Sequence, residues 1–522
     1  MLPDLPPNVP VDVPQTVISP LSTSTPVSTS SSLRVESHGY SYEVVGNTLL
    51  DPAVIEARLA AATDPQAAFA TVNQAYQEAG YFLVALRGGL RDRTLTIQVV
   101  EGQLTEVVGS EDLAPYFRLL RDRPTLNKDE VLRQGTLAEM YDSRQGQQPK
   151  ISFEPAEAAG GSRMVITETP IENAKSWSAN LGVGNYGNRY SSRMLAQAGG
   201  SWRPGAGTEF SLGYTVGLPN AYKDSEGSSY DSGTVGGTVV TPWGLFGATY
   251  NRSKYAIGGT AGGLLAPTGD IVNWNVNGSQ LLYTDAASRW ALTESFNSSD
   301  TTIKVFDGAY TLTDQAFYYF TLGTAYSRSM QTFGYNSSFS AGVTLQQGVS
   351  GQSGTFLPEG DGVPIPRFRI WSGNLGYTQG LPGAFSFGTV LTGQWSEETL
   401  PQNQQWVLGG YGNLSAWYPG VVTGDKGVLL RASVATPPWT WGPLSVTGSL
   451  FLEGGMSQRN FVPFGGEDTQ VLSDGGLGLA TSLKTGTALS MGAAWPIHSS
   501  GVDEFQADKN RAYFYFNFNQ VF

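Results

Sequence analysis

Beyond Lys175 the chain alternates between apolar and polar positions, segment after segment. Phe210, Leu212, Tyr214 and Val216 interleave with Glu209, Ser211, Gly213 and Thr215; Tyr318, Phe320, Leu322 and Tyr326 with Tyr319, Thr321, Gly323 and Ala325; Phe385, Phe387, Leu391 and Trp395 with Ser386, Gly388, Thr392 and Gln394. Period-two patterning puts one set on each face of a strand. About sixteen such segments, separated by Gly, Asn, Asp and Pro turns, fit into residues 175–522 at roughly 22 residues per strand and loop. The last of them is the clearest. Phe514, Phe516, Phe518 and Phe522 fall on one face, with Gln520 among them, while Tyr513, Tyr515, Asn517 and Asn519 fall on the other. A soluble sandwich would cover the aromatic face with a second layer; a transmembrane barrel gives it to lipid and turns the polar face to its lumen.

The region before the barrel reads differently. Residues 1–32 are rich in Pro, Ser and Thr and too poor in apolar residues to pack, which predicts a linker. The seven prolines among residues 1–31 argue against a helix there, and no basic segment followed by an apolar run marks an export signal. From residue 33, helix signals stand between short strands. Tyr40–Val45 is a strand; Asp51-Pro52 and Asp64-Pro65 each place a capping carboxylate before a proline at the first helical position. Phe69, Val72, Tyr76 and Ala79 share a helix face that stops at Gly80, and Tyr81–Leu86 and Thr94–Val100 follow as strands. The pattern is β-α-α-β-β, a first small α+β domain over 33–103. A second copy over 104–170 uses Leu104–Val108, helices near Asp112–Leu120 and Asn127–Tyr141, and strands Lys150–Phe153 and Arg163–Thr169. Residues 171–522 are the barrel.

Composition sharpens this picture. Charged residues are only 14%, against ~25% for an average soluble domain, yet mean hydropathy is −0.17. No run reaches the ~18 apolar residues of a spanning helix. Barrel strands produce that combination, because half of each strand is spent on the lumen. The 65 glycines suit lumen positions, and the 12 tryptophans and 24 tyrosines suit interfacial girdles. A net charge of −13 argues against a nucleic-acid partner. With no cysteine and two isolated histidines, His38 and His498, there is no ligand spacing for zinc; a lumen acid pair, as in an outer-membrane protease or lipase, is the enzymatic alternative. His498 is expected in a loop. No cofactor or metal is expected, and the chain does not read as an enzyme.

Two β-α-α-β-β modules before a sixteen-strand barrel resemble the outer-membrane transporters of two-partner secretion, the haemolysin and filamentous-haemagglutinin type. The resemblance rests on Val45-Gly46-Asn47-Thr48-Leu49 and Val99-Val100-Glu101-Gly102 in the first module, which match the polypeptide-transport-associated (POTRA) pattern. In the barrel, Leu408–Trp417 followed by Gly424-Asp425-Lys426-Gly427 sits where that family has its signature loop, and Phe451-Leu452-Glu453 matches its Phe-x-Asp motif. The resemblance implies a transmembrane β-barrel behind two periplasmic POTRA-type domains in a Gram-negative outer membrane. It implies capture of a secreted exoprotein with an N-terminal secretion domain, and passage of that partner through the lumen. Sheet edges at Tyr81–Leu86 and Arg163–Thr169 are the expected capture sites. Outer-membrane lipid and, during biogenesis, the barrel-assembly machinery are the other expected partners, with Phe514, Phe516, Phe518 and Phe522 as the assembly signal of a monomer. The alternative within the superfamily is a barrel-assembly insertase, which carries more periplasmic modules than two.

The resemblance also assigns a lumen loop, anchored through Leu414, Ser415, Ala416, Trp417 and Tyr418. Here the sequence departs from the family: Ser415 stands where the family has an arginine, and Glu453 where it has an aspartate. Serine cannot make the family's lumen salt bridge, yet a lumen carboxylate against a packed loop still needs a donor. Arg431 on the preceding strand shares a face with Leu429 and Ser433 and is the candidate partner of Glu453. In the alternative, Arg431 snorkels to an interface and Glu453 is hydrated.

Overall fold

The computed structural model describes residues 32–123, 126–158, 160–188, 192–221, 227–258, 262–355, 362–462, 467–502 and 512–522. The helix-free linker expected over residues 1–31 lies outside the described residues.

The first α+β unit is a four-stranded sheet covered by two helices. Its strands are β1 (Ser32–Ser37), β2 (Tyr40–Val45), β3 (Val84–Arg91) and β4 (Thr94–Glu101), ordered β1-β2-β4-β3, with β2 and β4 parallel. Strand β1 was not anticipated, because its charges mask the alternation. The helices are α1 (Pro52–Ala60) and α2 (Pro65–Glu78). Both start as the sequence predicts: Asp51 accepts from Ala53 N–H, and Asp64 from Ala67 N–H at 2.8 Å. Gly80, at φ +80 to +90° in the left-handed region, ends the second. Their apolar faces bury Ile55, Leu59, Val72 and Tyr76 against Tyr42, Val44, Ile97 and Val99. The motif residues lock the corner. Glu101 accepts from Thr48 N–H (2.9 Å), Leu49 N–H (3.0 Å) and Tyr76 OH (2.9 Å), which joins the Gly46-Asn47-Thr48 turn to the end of β4.

The second unit has strands β5 (Gln103–Val108), β6 (Gln147–Pro155) and β7 (Gly161–Pro170), ordered β5-β7-β6. Its helices are α3 (Ala114–Phe117), continued by a short 3-10 turn, and α4 (Lys128–Ser143), which opens on a capping box between Asn127 and Glu130. One expectation fails here. Arg163–Thr169 belongs to β7, which is the central strand, parallel to β5 and antiparallel to β6; β5 pairs with it only as far as Val165, so the segment is not an edge strand and is unpaired on one side only beyond that residue. Its Met164 and Ile166 are buried in the core of the unit. The Tyr81–Leu86 strand also begins later than expected, at Val84, and runs on to Arg91, because Gly88 and Gly89 continue the pairing with β4.

The barrel comprises β8 (Trp177–Gly184), β9 (Leu195–Gly205), β10 (Thr208–Gly217), β11 (Ser229–Thr241), β12 (Gly244–Ala256) and β13 (Thr268–Thr284). It continues through β14 (Ser288–Val305), β15 (Tyr310–Thr332), β16 (Tyr335–Thr355), β17 (Arg369–Gly380) and β18 (Ser386–Trp395). A small hairpin, β19 (Trp406–Leu408) with β20 (Val422–Gly424), pairs only with itself. Strand β21 (Lys426–Ala435), its short continuation β22 (Trp439–Trp441), β23 (Leu444–Gln458), β24 (Thr469–Leu483), β25 (Thr487–Ser500) and β26 (Tyr513–Val521) then complete the circle. All neighbours are antiparallel, and β26 pairs with β8. With β21 and β22 counted as one interrupted strand, the closed barrel has sixteen strands, as expected. His498 lies within β25, opposite Ser473, and not in a loop. The outward faces carry exposed Leu212, Leu452 and Phe514, the lipid-facing set that the alternation predicts. No helix among the described residues is long and apolar enough to cross a membrane.

The second unit is fastened to the short turns at one end of the barrel, which makes that end periplasmic. The buried Arg144 guanidinium donates to Gly207 O (2.7 Å), Thr238 O (3.2 Å) and Thr238 Oγ1 (2.9 Å), and Tyr116 OH donates to Val240 O at 3.1 Å. Gly207 is required: its φ is +63°, and a Cβ there would stand 2.3 Å from the Tyr141 ring. Val240 and Leu245 complete the apolar core of the second unit.

Candidate functional site: the lumen loop and its carboxylates

The segment between β18 and β21 folds into the barrel. Asp425, itself buried, pins its base: one carboxylate oxygen accepts from Leu400 N–H (2.7 Å) and the other from Asn460 N–H (2.8 Å). The β19–β20 hairpin carries the chain inward to a tight turn. Gly409 and Gly410 have φ of +99° and +109°, and a Cβ on Gly409 would lie 2.1 Å from Tyr418 O. Gly410 N–H donates to Trp417 O (3.0 Å) and Gly409 N–H to Asn413 O (2.9 Å), while Leu414 takes φ +64° to present the tip.

The tip is buried throughout. Leu414, Ala416 and Trp417 pack with Leu408 and Val422 against Phe451, Leu472 and Tyr515 on the barrel wall. Tyr418 meets Tyr513 edge-on at 6.2 Å, and the Arg193 guanidinium lies over its ring at 4.8 Å. Tyr411 lies 4.5 Å from Tyr515. The lumen face of β26, read from Tyr513 and Tyr515, is therefore the loop's bed. On the opposite face Phe514, Phe518 and Phe522 are exposed to the lipid side, and Phe516 is partly covered.

Beneath the tip stand three charged groups. Arg431 and Glu453 face each other directly in the β21–β23 register, and Arg431 Nη1 is 3.1 Å from Glu453 Oε1. That contact is an ion pair without the alignment of a hydrogen bond. The guanidinium also covers the Phe451 ring at 5.0 Å. What holds the loop is a different set of contacts. Glu453 Oε2 accepts from Ser415 N–H at 2.6 Å, and Asp474 Oδ2 accepts from Ala416 N–H at 2.8 Å. Asp474 is opposite Glu453 in the β23–β24 register, so two adjacent buried carboxylates grip two consecutive backbone amides. Ser415 Oγ turns back to accept from Gly412 N–H at 3.1 Å. Where the resemblance leads to the expectation of an arginine side chain, main-chain donors meet the carboxylates, with Arg431 reaching Glu453 from the wall.

Asp474 was missed from sequence. Its signal was present: Leu472 and Asp474 share the lumen parity, and a carboxylate on that face requires a donor. Nothing in the sequence could say that the donor would be a backbone N–H. No group of three or more His, Cys, Asp or Glu among the described residues could hold a metal ion.

A closed sixteen-strand barrel with an inward-folded loop and two α+β units at its periplasmic end defines an outer-membrane barrel transporter. Residues 160–478 match the haemolysin secretion/activation protein family ShlB/FhaC/HecB, and the chain belongs to that family, the outer-membrane transporters of two-partner secretion. Among curated relatives, the heme/hemopexin transporter protein HuxB of Haemophilus influenzae is 22% identical over 360 residues, 63% of this chain and 58% of that protein. The chain thus matches somewhat more than half the length of that relative. Among solved structures, CdiB from Escherichia coli superposes with a TM-score of 0.74 at 18% identity, over 96% of this chain and 93% of that one. CdiB from Acinetobacter baumannii gives 0.69 at 14% identity, over 97% and 95%. These likenesses show the shared fold.

Proposed function

We propose that this protein captures an extended segment of a secreted exoprotein in the periplasm and passes it through the barrel lumen to the cell surface. The observation that carries the reading is the coupling of an open sheet edge to the barrel. Among the described residues, β3 has no strand beyond it in the β1-β2-β4-β3 sheet. Residues 88–91 of β3 are exposed, and no proline lies in the strand to block main-chain pairing. An incoming extended segment can add there, taking affinity from backbone hydrogen bonds and modest demands on sequence. By contrast β6, an edge of the second sheet, contains Pro149, Lys150 and Pro155, the residues that discourage strand addition. Leu83 at the entry to β3 packs in the core of the second unit, which is itself fastened to the barrel through Arg144 and Tyr116. The lumen loop is the closure that the passenger must displace, anchored by the packing of Leu414 to Tyr418 and by the Glu453 and Asp474 carboxylates, with Arg431 beside Glu453.

The test is deletion of residues 33–170. The shortened protein is expected to reach the outer membrane, shown by fractionation and heat-modifiable migration, and to release no partner into the culture supernatant. Undiminished secretion by a correctly inserted barrel would overturn the reading.

A further inference from the structure

The lumen wall is divided by charge. On β11 to β18 the inward parity is fixed by the register and by the outward exposure of Tyr250, Trp274, Phe320 and Leu375. Above the periplasmic mouth, every inward position of these eight strands is uncharged. Their acidic and basic residues fall on the outward parity, as with the Arg252–Asp270 pair at 2.6 Å. Arg289, at the mouth, faces Glu139 of α4. The inward charges of the barrel lie elsewhere. Arg203 pairs with Glu209 near the mouth at 2.6 Å, and Arg431, Glu453 and Asp474 stand under the loop.

What the eight strands present instead is a field of amides and hydroxyls. Asn251 Nδ2 donates to Ser232 Oγ (3.0 Å) and Thr234 Oγ1 (2.8 Å). Asn297 Nδ2 donates to Ser295 Oγ (2.9 Å) and Thr321 Oγ1 (3.2 Å), and Ser299 Oγ donates to Asn273 Oδ1 at 2.6 Å. The lumen loop touches this wall through Asn403, whose amide donates to Ser299. Such groups both donate and accept, so they exchange partners with water or with a passing main chain at little net cost. A fixed charge would behave differently, holding an oppositely charged side chain and repelling a like one.

On the export reading above, we propose that the uncharged wall of β11 to β18 is the track along which the extended passenger moves, and that it accepts polypeptide irrespective of side-chain charge. On the opposite wall Glu453 and Asp474 are held by the loop with Arg431 against Glu453, and Arg203 and Glu209 hold each other, which leaves the amide wall as the surface along which the chain slides.

The probes are flexible Gly/Ser/Asn peptides, one studded with lysines and one with glutamates, added to the periplasmic side of the full-length protein in a planar bilayer. In the unsubstituted protein the two peptides should give current-block durations within about twofold of each other, and the K⁺/Cl⁻ permeability ratio should stay within about twofold of one. Asn275→Asp combined with Asn297→Asp should lengthen the lysine-peptide events roughly tenfold, the effect of one partly desolvated ionic contact, and leave the glutamate-peptide events no longer than before. Asn519→Asp, on the loop side of the lumen, should do neither. Strong charge discrimination by the unsubstituted protein overturns the proposal without requiring any variant to fold. So does a lysine-peptide effect from Asn519→Asp and none from the track pair. If neither peptide produces events in a barrel that conducts KCl, the export reading itself falls.

Discussion

Glu453→Ala should open the lumen more than Arg431→Ala does. In the structure Glu453 holds two partners: the Ser415 N–H at 2.6 Å and the Arg431 guanidinium at 3.1 Å. Removing the carboxylate breaks a hydrogen bond to a charged acceptor, worth roughly 1.5–3 kcal/mol, and leaves a fully buried N–H without a partner. Together these predict a loss of about 2–4 kcal/mol in loop closure. Removing Arg431 leaves both backbone amides in place. Its loss leaves the fully buried Glu453 carboxylate without a counter-charge, but Arg431 makes no aligned hydrogen bond to it and the Ser415 N–H remains as its donor, so the loop keeps its main-chain grip. The double variant should consequently be no more closed than Glu453→Ala alone, since the loop amide has lost its acceptor in both. Glu453→Gln keeps an acceptor for Ser415 N–H and should fall between the two. Single-channel recordings measure this directly, through open probability and conductance, with uptake of a large antibiotic by whole cells as a second readout. If Arg431→Ala matches or exceeds Glu453→Ala, the ion pair and not the main-chain grip closes the loop.

Two further outcomes follow from the periplasmic joint and the barrel seam. Asp142 of α4 is buried, one of its oxygens lacks a partner, and burial with the nearby Glu168 and Asp112 pushes its carboxyl up to about 7. A carboxyl raised above its unfolded value contributes stability that is fully present at low pH and is lost as pH rises through about 7. Acidification from pH 8 to 6 should therefore tighten the second unit by about 1.4 kcal/mol, at 1.36 kcal/mol per pH unit below about 7, and Asp142→Asn should flatten the dependence in hydrogen exchange of α4. At the seam, β26 and β8 share only five register pairs, and Asn185 extends them: its side chain donates to Phe514 O at 2.7 Å and accepts from Phe516 N–H at 2.7 Å. Asn185→Ala should cost about 2–3 kcal/mol and lower the temperature of the heat-modified mobility shift; an unchanged shift temperature would show that the backbone ladder alone closes the barrel.

The parts of this structure that were legible in the sequence are those set by side-chain parity and by capping chemistry. Alternation fixed which residues of β26 face lipid, and it put Arg431 and Glu453 on one lumen face before any register was known. Asp51 and Asp64 announced two helix starts, because a side-chain acceptor next to a helical run has a local function that its neighbours reveal. The edge strands were less legible. Arg163–Thr169 reads as a strand from its apolar run Met164-Val165-Ile166, and such a run carries no record of how many neighbours its strand has. Strand order is decided by packing of the whole unit, and β7 proved central for that reason.

The loop anchorage shows the same limit in a sharper form. Sequence reasoning looks for a side chain to replace a missing side chain, and so it searched for another arginine once Ser415 had displaced the family's. Every residue also carries a backbone N–H, which the sequence does not advertise and which becomes a specific donor only where a turn aims it. Here Gly409, Gly410 and the left-handed Leu414 do the aiming, by directing the amides of Ser415 and Ala416 outward from a tip whose side chains are already packed. Two carboxylates on adjacent strands then suffice as acceptors, and the identity of residue 415 matters for its small size more than for its hydroxyl. At no measurable exposure, that position has no space for a long side chain unless the tip rises from its bed. Ser415→Arg, which restores the family residue, should thus loosen the loop and not tighten it. A tighter loop, read as lower open probability than in the unsubstituted protein, would mean that the wall can rearrange to accept the guanidinium and that the main-chain grip is dispensable.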